Sequence, residues 1–124
     1  TGVTDPAGRT WNLAYDASGN LVSVTDPAAV SGGTRFATGY TYDGANRVTQ
    51  ITDRRGKAWT FGYNTAGKLA WEKTPLLHQT SYTYSGNTTT VTDPRGNAVV
   101  HTYNAAGELV SVKDEANFTE AYTY

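Results

Sequence analysis

One unit of about 21 residues recurs along this chain of 124 residues. Each copy contains a segment that ends in tyrosine, a turn rich in glycine, asparagine or aspartate, and a second apolar segment. Successive tyrosines are separated by 27, 21, 21, 19 and 21 residues. They are Tyr15, Tyr42, Tyr63, Tyr84, Tyr103 and Tyr124. Such self-similarity is typical of repeat proteins, in which no single unit buries its own apolar face.

The segment after each tyrosine predicts a hairpin loop, because its residues tolerate the positive φ that tight loops need. All five of these loops carry glycine, and in three of them it stands four residues after the tyrosine, at Gly19, Gly67 and Gly107. In four units an apolar residue follows six positions after the tyrosine and predicts the start of a returning strand. These residues are Leu21, Val48, Leu69 and Leu109.

A second turn is predicted where a Thr-Asp dipeptide ends the returning strand. Its aspartates are Asp5, Asp26, Asp53 and Asp93, and proline follows three of them. A carboxylate in this place can accept hydrogen bonds from backbone N–H groups of the turn. Since a residue repeated at equivalent places serves the backbone more often than a single reaction, we interpret these aspartates as structural and not as catalytic.

Composition supports an all-β fold. Nine Tyr and three Trp favour strands, 13 Gly and four Pro supply turns, and no segment has the pattern of an amphipathic helix. The prediction is a series of antiparallel β-hairpins that form a curved or spiralling strip. Residues 1–124 are expected to be a single array of five to six repeat units, without a second domain.

Charge and residue usage exclude several function classes. A formal net charge of −1 gives no electrostatic attraction to nucleic acid or an anionic membrane, and no apolar run approaches the length of a membrane span. Because cysteine is absent, neither a disulfide framework nor a thiolate metal site can form. We therefore expect no nucleic-acid partner and no membrane insertion.

No residue pattern indicates catalysis, a cofactor or a metal. His78 and His101 lack a patterned acidic partner, which favours surface or packing roles over metal binding. Arg54, Arg55 and Lys57 form a basic cluster that fits a solvated turn better than a phosphate site. The repeated aspartates lack the glycine-rich nonapeptide of calcium-binding β-rolls. The chain is predicted not to be an enzyme.

The tryptophans have two different settings. Trp11 and Trp59 each stand four residues before a repeat tyrosine, which favours packing between neighbouring hairpins. Trp71 instead lies on a returning strand, at the position that is polar in three other units. Those counterparts are Ser23, Gln50 and Ser111. Trp71 is therefore a candidate contact residue, either for a ligand or for an adjoining hairpin.

The repeated motifs closely resemble the tyrosine-aspartate (YD) repeats of Rhs proteins, and the resemblance covers essentially the whole chain. It rests on a Tyr-Asp-x-x-Gly-x-Leu element together with a Thr-Asp-Pro-x-Gly element. The residues that carry it include Asp5–Arg9, Tyr15–Leu21, Tyr42–Asp43, Asn46–Val48, Asp93–Gly96 and Tyr103–Leu109. Departures from the pattern occur at Thr74–Gln79, at Thr88–Val91 and in the insertion Ala28–Gly33; we expect these to bend or bulge the strip locally.

The resemblance implies a function. In Rhs-type polymorphic toxins, and in the similar teneurin-like adhesion proteins, long runs of such repeats form a hollow β-shell, which in the toxins encloses a C-terminal toxic domain. It implies a non-enzymatic scaffold in a secreted or cell-surface protein, with neighbouring repeats and an encapsulated toxin domain as partners. The alternative is an adhesion module whose aromatic strip binds surface glycans or a protein.

The isolated chain is expected to self-associate. It begins without methionine and ends at the tyrosine that precedes a hairpin loop in the other units, which is the pattern of a segment excised from a longer array. A strip cut in this way has open strand edges, and these tend to pair.

Overall fold

The computed structural model describes residues 1–28 and 32–124; Ala29, Val30 and Ser31 of the insertion lie outside the described residues. The chain forms two compact units, residues 1–61 and 62–124. In the described ranges the secondary structure is entirely β, so no helix there could span a membrane. The all-β prediction is confirmed. That 1–124 is a single array stays a prediction.

The first unit is a run of antiparallel strands in which each strand pairs with the next one along the chain. The last of these strands extends two residues past the unit boundary. The strands are β1 (Gly2–Thr4), β2 (Thr10–Tyr15), β3 (Leu21–Thr25), β4 (Ala37–Tyr42), β5 (Val48–Thr52) and β6 (Ala58–Tyr63). The returning strands β3 and β5 begin at Leu21 and Val48, as the spacing predicts.

The second unit repeats this arrangement, again with antiparallel pairing between consecutive strands. Its strands are β7 (Leu69–Lys73), β8 (Gln79–Ser85), β9 (Thr88–Thr92), β10 (Ala98–Tyr103), β11 (Leu109–Lys113) and β12 (Thr119–Ala121). In both units the strands follow the repeat, so consecutive antiparallel hairpins are confirmed.

The described strands have no buried core. No described residue is fully buried, and most strand residues are half-buried. Each unit is therefore stabilised within one layer, by backbone pairing and by contacts between side chains of adjacent strands.

Strand register sorts the side chains of each unit onto two faces, because directly opposed residues of an antiparallel pair share a face. We call one the aromatic face; it carries the opposed pairs Val3–Trp11, Leu13–Val24, Tyr40–Ile51 and Ile51–Trp59 in the first unit, and Tyr82–Val91, Val91–Val99 and His101–Val112 in the second. The opposite, polar face carries pairs such as Thr41–Gln50 and Thr83–Thr90.

Nine connections among the described residues share one five-residue turn. In each, the N–H of the first residue donates to the carbonyl of the fifth, and the N–H of the fourth donates to the carbonyl of the first. The fourth residue always has positive φ. The turns begin at Asp5, Asp16, Asp43, Asp53, Asn64, Thr74, Asp93, Asn104 and Asp114.

Because all nine turns share this geometry, the structural repeat is about half as long as the sequence repeat. The hairpin loops and the Thr-Asp turns, which look different in sequence, are the same turn, and consecutive examples such as Asp43, Asp53 and Asn64 begin 10 or 11 residues apart. The turn also persists at Thr74–His78, where the sequence departs from the Asp-Pro-x-Gly pattern. There Leu77 takes the fourth position with a φ of 64°.

Two connections have another geometry. Between β8 and β9 the loop is only Gly86-Asn87; Gly86 has a φ of 55°, which suits the first central position of a type II′ turn. Between β3 and β4 a longer loop is closed by a hydrogen bond from the N–H of Asp26 to the carbonyl of Phe36, at 2.7 Å. Asp26 thus does not form the five-residue turn made by Asp5, although both begin Asp-Pro motifs, because the inserted residues extend this connection.

Replacing Leu77 with glycine is predicted to raise the free energy of unfolding by about 1 kcal/mol, measured by urea denaturation. The left-handed conformation of Leu77 costs a side chain that bears Cβ about 1–2 kcal/mol. The leucine side chain is 78% exposed and so contributes little burial in return.

The neighbouring residue provides the matched control. Leu76 is 74% exposed and is not in the left-handed region. Leu76→Gly should be neutral or destabilising, because glycine adds only unfolded-state entropy there. Equal effects of the two substitutions would show that Leu77 is not strained.

Candidate functional site: capped turns and the aromatic face

The side chain of the first turn residue caps the turn. Asp16 Oδ1 accepts hydrogen bonds from the backbone N–H groups of Ser18 and Asn20, both at 2.9 Å, and Oδ2 accepts one from Asn20 Nδ2 at 3.0 Å. Asp5, Asp43, Asp53 and Asp93 likewise accept from the third and fifth residues of their turns. One short side chain satisfies two backbone donors that would otherwise face solvent.

In two turns the fifth residue is an arginine whose guanidinium forms a hydrogen-bonded ion pair with the capping carboxylate. Arg9 contacts Asp5 Oδ2 through Nε at 2.7 Å and Nη2 at 2.6 Å, and Arg47 contacts Asp43 Oδ2 at 2.8 and 2.7 Å through the same atoms. Charge-assisted bonds of this kind are stronger than neutral ones. They hold the fifth residue, and with it the first residues of the next strand.

These hydrogen bonds lower the pKa of four capping carboxyls below its ordinary value. For Asp5 and Asp93 the main cause is the backbone N–H of the fifth residue. For Asp16 and Asp43 it is the side chain of that residue, Asn20 or Arg47. A carboxylate that is a weak base and is already engaged by several donors is suited to holding a turn and poorly suited to proton transfer.

On the aromatic face, one tyrosine hydroxyl in every second unit donates a hydrogen bond to the backbone of the preceding hairpin. The hydroxyl of Tyr42 donates to the carbonyl of Leu21 at 2.7 Å. Tyr84 and Tyr124 donate to the carbonyls of Leu69 and Leu109 at 2.8 and 2.9 Å. Each acceptor is the first residue of a returning strand, so the tyrosine of one hairpin is tied to the hairpin before it.

Two of the three acceptor carbonyls, those of Leu21 and Leu109, lie at irregularities of the ladder. Strand register shifts beside Leu21 and again beside Leu109, and such a bulge leaves a backbone group without its regular partner. The donors belong to the Tyr-Thr-Tyr pairs, which recur in every second unit. The hydroxyl bond was not predicted from the sequence; its sequence signal is a tyrosine 15 residues after the first residue of a returning strand, as for Leu69 and Tyr84 or Leu109 and Tyr124.

Trp71 packs against a glycine of the preceding strand. A Cβ built on Gly62 would overlap the indole at Cε2, Nε1 and Cζ2, so the ring occupies the place of the missing side chain. The Lys73 ammonium lies 5.0 Å from the indole centroid, within cation–π range. Trp71 is half-buried. This places it against the partner strand of its own hairpin; whether it also contacts a ligand or an adjoining hairpin stays a prediction.

The Gly62–Trp71 contact replaces a small polar or apolar pair of the other hairpins. The corresponding pairs are Ala14–Ser23, Thr41–Gln50 and Thr102–Ser111, each directly opposed across its hairpin. A glycine in a strand interior weakens the strand, and a large ring over it restores the lost contact. The sequence shows that Gly62 and Trp71 each differ from the residues at the same positions of other hairpins, but it does not show that the two residues contact each other.

The remaining candidates do not converge on one site. His78 is the fifth residue of the Thr74 turn, and His101 stands opposite Thr89 and Val112 on the aromatic face. Arg55 and Lys57 donate backbone N–H groups to Asp53 in their turn. Within 1–28 and 32–124 no three His, Asp or Glu residues could hold one metal ion.

Comparison with known protein families gives a match. The family model described as RHS Repeat matches residues 1–31, 30–58, 42–75 and 82–119. These segments together span nearly the whole chain. No curated protein matches it.

A mutational cycle tests the compensation between Gly62 and Trp71. Gly62→Ala should lower the free energy of unfolding by about 1–3 kcal/mol, because the added methyl overlaps the indole. The double variant Gly62→Thr/Trp71→Gln recreates the Thr41–Gln50 pair and should be more stable than Gly62→Thr alone. Denaturant unfolding should give a coupling of at least about 1 kcal/mol. Additive effects would show that the two residues are independent.

The capping carboxylates predict acid sensitivity. Because the folded-state pKa of Asp5, Asp16, Asp43 and Asp93 is lowered from 3.8, their contribution to stability is full above that value and is lost as pH falls below it. The melting temperature should therefore fall between about pH 5 and pH 2.

Replacing these four aspartates with asparagine should flatten that pH dependence without unfolding the chain at neutral pH. Asparagine already caps two turns: Asn104 Oδ1 accepts both backbone hydrogen bonds, and Asn64 Oδ1 accepts the one from the fifth residue, Lys68. An unchanged pH profile in the asparagine variant would contradict the assignment of acid sensitivity to the caps.

Proposed function

Because the chain belongs to the RHS repeat family, we propose that it is a non-enzymatic scaffold segment of a secreted or cell-surface protein whose repeats form a β-shell around a C-terminal toxin domain. At the coarser level the chain is a structural repeat protein. We propose in addition that the repeats form a shell, that the shell encloses a toxin domain, and that the protein is exported.

The observation that carries the proposal is the half-buried aromatic face of each unit. In the described strands no second layer covers residues such as Leu13, Tyr40 and Val91, and none of them is fully buried. A sheet face of this composition is stabilised when something else covers it. An enclosed domain, or further repeats, would supply that cover in a longer chain.

The capped turns support a scaffold role in a second way. Each five-residue turn places its short polar cap and its positive-φ residue at the strand ends, so the same hairpin can be added again without a new core. Stability in such arrays is a sum of unit and neighbour terms. The carboxylates of Asp5, Asp16, Asp43, Asp53 and Asp93 accept backbone hydrogen bonds of their own turns, which suits a structural role better than a reaction.

The proposal predicts the behaviour of the isolated chain. The edge strands β1 and β12 are each three residues long and present unpaired backbone groups on their outer sides. Together with the uncovered aromatic faces, these edges should cause self-association. Sedimentation across about micromolar to millimolar concentration should detect dimers or larger species; a monomer throughout that range would count against it.

The shell is tested in the protein that contains this segment. Limited proteolysis should leave any domain that follows the repeats intact while it is enclosed, and should degrade it once the array is destabilised. Acid treatment offers such a trigger through the capping aspartates. If the following domain is equally sensitive with the array intact, it is not enclosed. If no domain follows the repeats, the toxin-shell proposal fails.

A second candidate function is glycan or protein binding by the aromatic strip. It is favoured by the exposure of large aromatic side chains, 50% for Tyr15 and 38% for Trp59, and by the indole of Trp71 on the otherwise polar face. Binding of the chain to a glycan panel, abolished by Trp59→Ser or Trp71→Ser in folded variants, would support it. No binding above background would leave the scaffold role alone.

A further inference from the structure

Two segments of this chain match the acceptor sequence for N-linked glycosylation, in which threonine or serine stands two residues after asparagine. They are Asn87-Thr88-Thr89 and Asn117-Phe118-Thr119. Both asparagines are exposed, because each lies in a connection between two strands of the second unit. The three-residue motif and exposure therefore do not distinguish the two segments, whereas their surroundings in the fold do.

The side-chain amide of Asn87 is held by the backbone of β10. Asn87 Nδ2 donates a hydrogen bond to the carbonyl of Tyr103 at 2.7 Å, and the Asn87 carbonyl accepts one from the Tyr103 N–H at 2.9 Å. Thr88 and Thr89 belong to β9, which pairs with β8 on one side and with β10 on the other. An enzyme that binds this segment in an extended form would first have to separate two strand pairings.

Asn117 lies in a more accessible place. It is the fourth residue of the Asp114 turn, with a φ of 66°, and its side-chain amide makes no hydrogen bond within the part of the chain that the structure describes. The neighbouring Phe118 is 71% exposed. Thr119 begins β12, whose three residues are exposed and pair with β11 alone among the described strands. Opening residues 114–119 therefore breaks one short pairing and not two.

An acidic side chain stands two positions before Asn117. Glu115 is exposed and lines, together with Asn117, a surface hollow of about 400 Å³, so both side chains can be contacted from one side of the turn. Ser85 is the residue at the same distance before Asn87. An enzyme that recognises its acceptor through a basic side chain would gain a charge-assisted contact at Glu115 and none at Ser85. The pattern Glu-x-Asn-x-Thr occurs once in the sequence, at residues 115–119.

We propose that Asn117 is the acceptor of an N-linked oligosaccharide, attached by an oligosaccharyltransferase that requires an acidic residue two positions before the asparagine. The donor is an oligosaccharide linked to a lipid through pyrophosphate. Asn117 Nδ2 forms a bond to the anomeric carbon of the first sugar, and the bond from that carbon to the pyrophosphate oxygen breaks. The amide proton passes to a base of the enzyme, and the lipid pyrophosphate leaves without oxidation or reduction.

The test is glycosylation of the whole, folded chain by a purified bacterial oligosaccharyltransferase of this acidic-site class, with a lipid-pyrophosphate-linked oligosaccharide as donor and peptide mass mapping as the readout. Asn117 should gain one oligosaccharide. Thr119→Val should abolish the product, and Glu115→Gln should lower the initial rate by about tenfold or more. In the cell the modification rests on the export included in the proposed function. The purified reaction does not, so its failure would leave the scaffold role untouched.

Glu120→Gln is the matched control for charge. Glu120 is also acidic and exposed, but it lies outside the five-residue motif, and its substitution should leave the rate unchanged. Circular dichroism should confirm that each variant is folded. A synthetic peptide of residues 113–121 should also be modified, because it carries the motif without the fold.

Ser85→Glu is the control for the fold. It gives the segment around Asn87 the same acidic motif, yet Asn87 should be modified only in the denatured variant, because β9 is paired on both sides. No product at Asn117, equal rates for Glu115→Gln and Glu120→Gln, or equal modification of Asn87 and Asn117 in the folded Ser85→Glu variant would each overturn the proposal.

Discussion

The fold depends on a single local interaction, the capture of two backbone N–H groups by the side-chain oxygen of the first turn residue. Asp16 and Asn104 show that a carboxylate and an amide make the same pair of bonds. A positive φ at the fourth position completes the turn. Because these requirements concern only two positions in five, the remaining three can vary, and the same turn recurs with unrelated residues between the caps.

The capped turn is important because no described residue is fully buried. In a two-layer domain, burial of apolar side chains against a second layer would fix strand register. Here register rests on the turns, on opposed pairs such as Tyr40–Ile51, and on tyrosine hydroxyls such as that of Tyr84, which tie one hairpin to the preceding one. Stability is therefore distributed along the chain, and a change in one turn should be felt mainly by its own hairpin and the next.

The sequence predicted what has a short-range cause. Tyrosine spacing and the residues with a tolerance for positive φ located the hairpins and the starts of the returning strands. Less predictable was the turn at Thr74, because tertiary pairing holds Leu77 in a conformation that leucine disfavours. The contact between Gly62 and Trp71 joins two strands and is invisible to a rule based on one position. Asp26 differs from Asp5 only through the insertion that follows it.

The aspartates show how much a local sequence pattern indicates about the role of a residue. Repetition at equivalent places suggested a structural role, and the hydrogen bonds of Asp5, Asp53 and Asp93 agree with it. The hydrogen bond from Arg35 to the carbonyl of Thr10 could not be foreseen, since the two residues lie 25 positions apart. Among the basic residues of the Asp53 turn, Arg54 contacts the carboxylate of Asp26 in another connection of the first unit, at 3.4 Å.

The most direct test of this account is residue-resolved amide hydrogen exchange in Asp43→Ala and Asp43→Asn variants. If side-chain capping sets the fold, alanine should remove protection from amides throughout β4 and β5, while asparagine should retain it. Distant hairpins of the second unit should be unaffected in both. Equal protection in the alanine variant and the unaltered chain would contradict the account, because strand pairing would then be independent of the capped turn.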